Sequence, residues 1–229
     1  MLQNTPQVVK NLIILNVLMY VVAGLLGDAR AIPLLAGTYP GSPHFEPWQL
    51  VTHMFMHGDV GHIFFNMFAL FMFGSQLERV WGPQRFLTYY VVCGLGAFAL
   101  HELVLGLQFF SEFGTFFPSA DQFVSPNASP LMKARVMESV FGRVVGASGA
   151  VFGLLLAFGM LFPNTQLMLL FPPIPIRAKY FVMGYGAIEL LLALQNSPGD
   201  NVAHFAHLGG MIFGYFLLKR WQQDRGHFY

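Results

Sequence analysis

Apolar segments long enough to cross a membrane recur along this chain, and this feature restricts its fold more than any other. The hydrocarbon core of a bilayer is about 30 Å thick, so a helix needs about 20 predominantly apolar residues to cross it. Only 10% of the residues are charged and 55% are hydrophobic, whereas soluble domains carry about 25% charged residues. We therefore predict an all-α membrane protein, a six-transmembrane-helix bundle forming one domain over residues 1–229, with spans at about 9–27, 59–77, 84–106, 147–162, 179–196 and 202–219.

The connections between these segments differ in composition. The first, at about 28–58, is rich in proline and glycine, and a polar insert at about 108–145 separates segments three and four. Residues 171–175 read Phe-Pro-Pro-Ile-Pro, which cannot lie inside a helix. Within segment one, Lys10 is followed by an apolar run from Leu12 to Leu26 that resembles a signal peptide in outline, but no small-residue cleavage site comes directly after it. We expect it to be retained as the first helix.

Lysine and arginine residues divide unequally between the two sides of this bundle. Cytoplasmic loops of membrane proteins carry an excess of these residues. With six spans and the N-terminus inside, the inner side holds 8 of them and the outer side holds 4. We therefore predict that both termini are cytoplasmic. The inner set is Lys10, Arg79, Arg85, Arg177, Lys179, Lys219, Arg220 and Arg225, and the outer set is Arg30, Lys133, Arg135 and Arg143.

Polar side chains cluster near the beginning of segments two, four and six. Such side chains are costly within a membrane and are usually functional. His62 and Asn66 lie in the first two turns of segment two, and Ser148 opens segment four. His207 lies about one turn into segment six. Because all three segments run from outside to inside in the predicted topology, these clusters lie at similar depth near the outer face. The sequence predicts that they meet in one site.

Segment four is too short to cross the whole bilayer core. Residues 148–162 number 15, which corresponds to about 22 Å of helix. If the inner end of this segment reaches the cytoplasmic interface, Ser148 lies below the outer surface. A polar residue at that depth could line a water-filled cavity, which hydrolysis within a membrane requires.

Pairs of glycines four residues apart favour close contact between segments four and six. Gly149 and Gly153 form one pair, and Gly210 and Gly214 form the other. Small residues at this spacing let helix backbones approach. His207 shares a face with the second pair, so the same contact could bring it to Ser148.

Ser148 and His207 are the residue types that nucleophilic catalysis requires. A serine hydroxyl attacks efficiently only when a base takes its proton, and neutral imidazole suits this role near pH 7. Asp200 lies seven residues before His207 and Glu189 lies in segment five, and neither is expected to orient His207. We therefore predict a two-residue Ser-His dyad.

Acyl transfer also requires hydrogen-bond donors for a tetrahedral oxyanion. The side-chain amide of Asn66 and a ring N–H of His62 lie four residues apart, on one face of segment two. The backbone N–H of Ser148, at the beginning of a helix, could supply a third donor. We interpret His53, His57 and His204 as structural or loop-fixing residues.

Three motifs in order resemble those of the rhomboid intramembrane proteases. They are His57, His62 and Asn66 at His-x4-His-x3-Asn, Gly-x-Ser-Gly from Gly146 to Gly149, and Ala-His-x2-Gly-x3-Gly at 206–214. The resemblance implies a rhomboid-like bundle that cleaves single-span membrane proteins near the outer face. It implies Ser148 as nucleophile, His207 as base, His62 and Asn66 in the oxyanion hole, and a supporting role for His57. The compact form is similar to bacterial members, which implies the bacterial cytoplasmic membrane.

The chain departs from this family at three places. Many members carry Trp-Arg in the first loop, where this chain has Trp48 and Gln49. The residue four after the nucleophile is often tyrosine in the family, whereas here it is Phe152, which can stack under the histidine but cannot hydrogen-bond. The insert at 108–145 is also longer than expected for this loop.

Three other functions are compatible with a polar membrane bundle. Eight histidines could bind a metal, but there is no His-Glu-x-x-His and no carboxylate or thiol is expected near them. A non-catalytic rhomboid-like chaperone for membrane segments typically lacks the serine or the histidine. A transporter would carry paired acidic residues or inverted repeats. We therefore expect transmembrane protein substrates and membrane lipid as partners, with no metal or cofactor, and the net charge of +1 does not suggest nucleic acid.

Overall fold

Helices make up most of the chain in the computed structural model, which describes residues 4–42, 44–117, 144–168, 173–195 and 204–226. Most of the predicted insert and part of the proline-rich segment 171–175 lie outside these ranges. The helices are α1 (Gln7–Leu26), α2 (Asp28–Leu35), α3 (Gln49–Thr52), α4 (Val60–Ala69), α5 (Ser75–Trp81), α6 (Pro83–Phe113), α7 (Ser148–Leu161), α8 (Ala178–Gln195) and α9 (His204–Gly226).

Three helices in the described part of the chain are long and apolar enough to cross a membrane. They are α1, the continuous helix Val60–Trp81, and α6 over Pro83–Ser111. A π-helical segment, Leu70–Gly74, joins α4 to α5 within the second of these. Large apolar side chains of α1, such as Leu18 and Leu25, point outward and are exposed. Predicted segments one to three fall on these helices.

The remaining predicted segments are helical at the expected positions. Helix α7 is apolar but only 14 residues long, as the short fourth segment predicts. Helix α8 covers the described part of segment five, and α9 covers that of segment six but continues to Gly226, beyond the predicted end at about 219. A two-stranded antiparallel hairpin, β1 (Gln166–Met168) with β2 (Pro175–Arg177), connects α7 to α8. The proline-rich segment therefore leads into a strand, in agreement with its exclusion from a helix.

Helix α7 occupies the centre of the bundle between α6 and α9. A methyl group on Gly210 would overlap the backbone carbonyl of Gly149, and one on Gly153 would overlap the Cys93 side chain of α6. The predicted glycine contact between segments four and six is therefore present. Because these positions lack side chains, both neighbouring helices approach the backbone of α7 closely.

Helix α6 extends further than predicted, so residues 108–113 are helical and do not belong to the insert. Phe109 is buried and packs edge-on against Tyr39, with ring centroids 5.2 Å apart. Gly114 then ends the helix with a φ of 71°, a conformation that glycine adopts readily. The apolar contact with the first loop stabilises these additional helical residues.

The first loop, described from sequence only as rich in proline and glycine, contains a helix, α2. Pro33 lies inside it, and residues later in the loop satisfy the carbonyls at its end. These hydrogen bonds run from Trp48 Nε1 to Leu34 O at 2.8 Å, from Gln49 Nε2 to Pro33 O at 2.8 Å and from Thr52 Oγ1 to Leu35 O at 2.7 Å. Gln49 is fully buried and so helps to fix this loop.

A glutamate from another helix caps the beginning of α1. Glu78 Oε1 accepts from Val8 N at 2.9 Å, and its Oε2 accepts from Val9 N at 2.8 Å. Pro6, at the N-cap position, supplies no side-chain cap. A carboxylate at a helix N-terminus satisfies unpaired N–H groups and interacts favourably with the helix dipole. Glu78 therefore ties α5 to α1 at the end of the bundle away from Ser148.

Candidate active site

The structure brings Ser148 and His207 into hydrogen-bonding contact. Ser148 is the first residue of α7, and His207 lies one turn into α9. The Oγ atom of Ser148 is 2.9 Å from Nε2 of His207. The distance suits a serine that donates its proton to an imidazole.

The residue two before Ser148 shapes the space beside it. Gly146 has a φ of 123°, which residues with a side chain rarely adopt. Its N–H donates to His53 O at 2.8 Å. This hydrogen bond connects the residues just before α7 to the turn after α3. A Cβ atom on Gly146 would lie 2.8 Å from His62 Nε2 and 3.6 Å from Ser148 Oγ. The glycine therefore leaves a small space between Ser148 and His62.

The ring of His207 is held from one face by an aromatic side chain. Phe152, one turn after Ser148, stacks on it with centroids 4.1 Å apart and planes 9° apart. Tyr185 of α8 stacks on Phe152 in turn, at 5.1 Å and 15°. Phe152 thus stacks under the histidine, as the sequence suggested, although it has no hydroxyl.

A carboxylate lies within hydrogen-bonding distance of His207, so the expectation that no acidic residue is placed beside it is wrong. Glu189 Oε2 lies 2.9 Å from His207 Nδ1 and 2.6 Å from His204 Nδ1. Glu189 and His204 are buried. Because this contact joins α8 to α9, sequence spacing does not reveal it. One signal was available, since a lone carboxylate within an apolar segment is a functional candidate by default.

Glu189, His204 and His207 also form a group that could hold a metal ion. Ligand atoms of Glu189, His204 and His207 lie within 4.8 Å of one another, so the argument that no carboxylate lies near the histidines is also wrong. Oxygen and nitrogen ligands on one tetrahedral zinc ion would lie about 3.3 Å apart, given bonds of about 2.0 Å. The contacts of 2.6 and 2.9 Å are shorter than this and suit N–H···O hydrogen bonds.

Two backbone N–H contacts lie at His62, at the beginning of α4. Asp59 caps this helix by accepting from His62 N at 2.9 Å. The backbone N–H of Gly58 points at His62 Nδ1 over 3.4 Å. If Nδ1 accepts this weak hydrogen bond, the ring proton lies on Nε2, which faces the space beside Gly146. His62 then presents a donor to that space.

Asn66 lies one turn further along α4 and is buried. Its Nδ2 donates to the carbonyl of His62 at 2.9 Å. Among the described residues no hydrogen bond joins Asn66 to Ser148. Asn66 therefore lies one turn beyond His62 in α4, and one N–H of its side-chain amide donates to a backbone carbonyl of the same helix.

His57 and His53 lie in the loop before α4 and are both buried. Burial lowers the pKa of His53 to about 4 and, with the neighbouring His62, that of His57 to about 4. His57 packs edge-on against His62, with ring centroids 5.0 Å apart. His53 Nδ1 contacts Gln49 O at 2.8 Å. Both are neutral near pH 7 and support the loop and His62.

Comparison with known proteins identifies the family of this chain. A profile of the Rhomboid domain matches residues 44–220, more than half of the chain. The chain is 28% identical over 217 residues to rhomboid protease AarA of Providencia stuartii, covering 89% of this chain and 68% of that protein. It is 28% identical over 184 residues to RHOMBOID-like protein 12, mitochondrial, of Arabidopsis thaliana, covering 78% and 48%.

A third relative is rhomboid protease GlpG of Yersinia pestis, at 22% identity over 212 residues, covering 92% of this chain and 61% of that protein. The chain therefore spans about two thirds of the bacterial relatives and about half of the plant one. The matched region includes every candidate site residue, and three described helices can cross a membrane. This chain is an integral membrane protein that belongs to the rhomboid family.

Proposed function

We propose that this chain is an intramembrane serine endopeptidase, with Ser148 as nucleophile and His207 as general base. The observation that carries the proposal is the 2.9 Å contact between Ser148 Oγ and His207 Nε2 at the beginning of the apolar helix α7. Family membership and the names of AarA and GlpG as proteases support the same reaction type.

The reaction is an acyl transfer in two stages. Ser148 Oγ attacks the scissile carbonyl carbon while its proton passes to His207 Nε2. The C–N bond then breaks, and His207 returns this proton to the departing amine. Water attacks the resulting ester, gives a proton to His207, and the bond to Ser148 Oγ breaks as Oγ regains the proton. Each stage passes through a tetrahedral oxyanion.

Donors for that oxyanion are available next to Ser148. The backbone N–H of Ser148 belongs to the first turn of α7, where N–H groups have no partner within the helix. Nε2 of His62 faces the space left by Gly146, and the amide of Asn66 lies one turn further on. We assign His62 and Asn66 to the oxyanion hole, with His57 supporting His62.

The substrates are single-span membrane proteins cut near the outer face of the membrane. The bundle comprises six spans, with α7 too short to reach both surfaces, so Ser148 lies below the outer one. Both termini are cytoplasmic, as the 8 to 4 distribution of basic residues favours. We assign the chain to a bacterial cytoplasmic membrane, although the plant relative has a mitochondrial name.

Metal-dependent hydrolysis is the second candidate, and one observation favours it. Glu189, His204 and His207 combine the nitrogen and oxygen ligands that zinc accepts. Zinc binding would require the protons on both Nδ1 atoms to leave and the three residues to move apart. A Ser148 mechanism needs neither change.

Labelling with a fluorophosphonate tests the proposal. The purified protein in detergent is treated with the reagent and then digested, and the adduct is located by mass spectrometry. We expect the adduct on Ser148, with none in Ser148→Ala and very slow labelling in His207→Asn. Labelling at another serine, or cleavage of a single-span substrate by Ser148→Ala at the wild-type rate, would refute the serine mechanism.

A further inference from the structure

A continuous chain of hydrogen-bonding contacts leads from Ser148 into the bundle through three helices. Ser148 Oγ contacts His207 Nε2 at 2.9 Å, and His207 Nδ1 contacts Glu189 Oε2 at 2.9 Å. The same oxygen contacts His204 Nδ1 at 2.6 Å. The base therefore has a partner on each of its ring nitrogens.

The contacts at Glu189 determine where the protons lie. One oxygen atom faces two ring nitrogens, and it can accept from both only when each nitrogen carries a hydrogen. An ionised carboxylate satisfies both contacts. His207 then carries its proton on Nδ1, so Nε2 is left with the free electron pair that accepts the proton of Ser148.

His204 compensates for placing a carboxylate inside the bundle. The side chain of Glu189 is 6% exposed and that of His204 is 9% exposed. A buried carboxylate is costly unless hydrogen bonds satisfy it. Two N–H donors on one oxygen supply such bonds, and they hold the carboxylate in one position. His204 thus stabilises the residue that orients His207.

The ring of His207 is restrained in two directions. Phe152 covers one face of it at 4.1 Å, and Glu189 fixes the Nδ1 edge. A stack alone does not prevent rotation of the ring within its own plane, and it does not select a tautomer. A carboxylate on Nδ1 prevents this rotation and selects the tautomer. It also stabilises the imidazolium that forms when Ser148 loses its proton.

We propose that Glu189 is a positioning residue for His207, so that the site works as a Ser148–His207–Glu189 triad stabilised by His204 and not as a two-residue dyad. This inference rests on the proposed serine mechanism. Glu189 acts through His207 and does not contact the reacting atoms. Its role is to hold the reactive tautomer and to stabilise the positive charge that develops on the ring.

The test is Glu189→Gln in the full chain, assayed on a model single-span substrate. We expect kcat to fall by about 10²- to 10⁴-fold, as for the loss of the acid in other triads, while KM changes little. The matched control is Glu78→Gln, since Glu78 is equally buried but caps α1. This control should lower the melting temperature and leave kcat per folded molecule unchanged.

A measurement on the wild-type protein tests the inference even if Glu189→Gln does not fold. Histidine is labelled with ¹⁵N, and the resonances of His207 are identified by their loss in His207→Asn. The inference expects a protonated Nδ1 and an unprotonated Nε2 at neutral pH. An Nε2-protonated ring in the wild type would overturn it, as would a wild-type kcat in folded Glu189→Gln. Failure of the serine mechanism differs from both, because the wild type would then give no fluorophosphonate adduct on Ser148.

Discussion

Gly210 of α9 lies against the backbone carbonyl of Gly149, the residue directly after the proposed nucleophile. No side chain separates the two helices at this point, so their axes approach closely. The contact lies three residues from His207, and it therefore sets the distance over which the imidazole reaches Ser148. Helix packing and catalytic geometry depend on the same pair of glycines.

Replacing Gly210 with alanine should therefore impair both stability and catalysis. The added methyl group overlaps Gly149, and overpacking of this kind costs about 1–3 kcal/mol. We expect a lower melting temperature and a lower kcat in the molecules that remain folded. Gly184→Ala is the control, because nothing lies within 4 Å of a Cβ at that position in α8. Equal behaviour of the two variants would contradict this account of the contact.

The variant Asn66→Ala tests whether Asn66 donates to the oxyanion or only contributes to helix packing. If Asn66 donates to the oxyanion, kcat should fall by about 10²- to 10³-fold. Ser148 should still react with a small fluorophosphonate, because the Ser148–His207 pair remains. If Asn66 only bonds to His62 O, the melting temperature falls and kcat per folded molecule is unchanged. Measuring both quantities on one preparation decides between these outcomes, and His62→Ala should resemble the first.

The buried histidines of the first loop should make the fold sensitive to mild acid. Burial lowers the pKa of both His53 and His57 from the ordinary value of 6.5 to about 4. The unfolded chain therefore binds more protons than the folded one between these pH values. The free energy of unfolding should fall as the pH falls from about 6.5 towards 4. Melting temperatures in one detergent across this range test the direction, and His57→Gln should weaken the dependence.

Removal of metal ions should leave activity intact. The short contacts of Glu189 to His204 and His207 suit hydrogen bonds and not a coordination sphere. We expect unchanged substrate cleavage after treatment with EDTA and phenanthroline. Loss of activity that added zinc restores would instead support the metal-dependent mechanism. A parallel assay with Ser148→Ala shows whether any cleavage that remains is independent of the serine.

Single cysteine tags test the orientation in the membrane. A tag at the C-terminus should react only from the cytoplasmic side, and one at Ser119, which lies outside the described residues, only from the outer side. The native Cys93 is fully buried, so its background labelling should be low. Labelling from the opposite sides would contradict the topology drawn from the 8 to 4 distribution of basic residues.

The sequence predicted most helices because apolar runs and helix breakers are local signals. Ser148 and His207 could also be paired from sequence, since the predicted topology placed both near the outer face. Glu189 could not be assigned, because its contact depends on how α8 packs beside α9. Helix α2 was missed for a similar reason: Trp48, Gln49 and Thr52 satisfy its last carbonyls from a later part of the loop.

The π-helical segment Leu70–Gly74 has a consequence for the second span. A π-helical turn accommodates one more residue than an α-helical turn, and one residue corresponds to about 100° of rotation around a helix. The segment therefore sets the angular phase between α4, which carries His62, and α5, which carries Glu78. Deleting one residue there would restore a regular α-helix but rotate these two faces relative to each other by about 100°. A regular helix could then direct His62 towards Ser148 or Glu78 towards the start of α1, but not both.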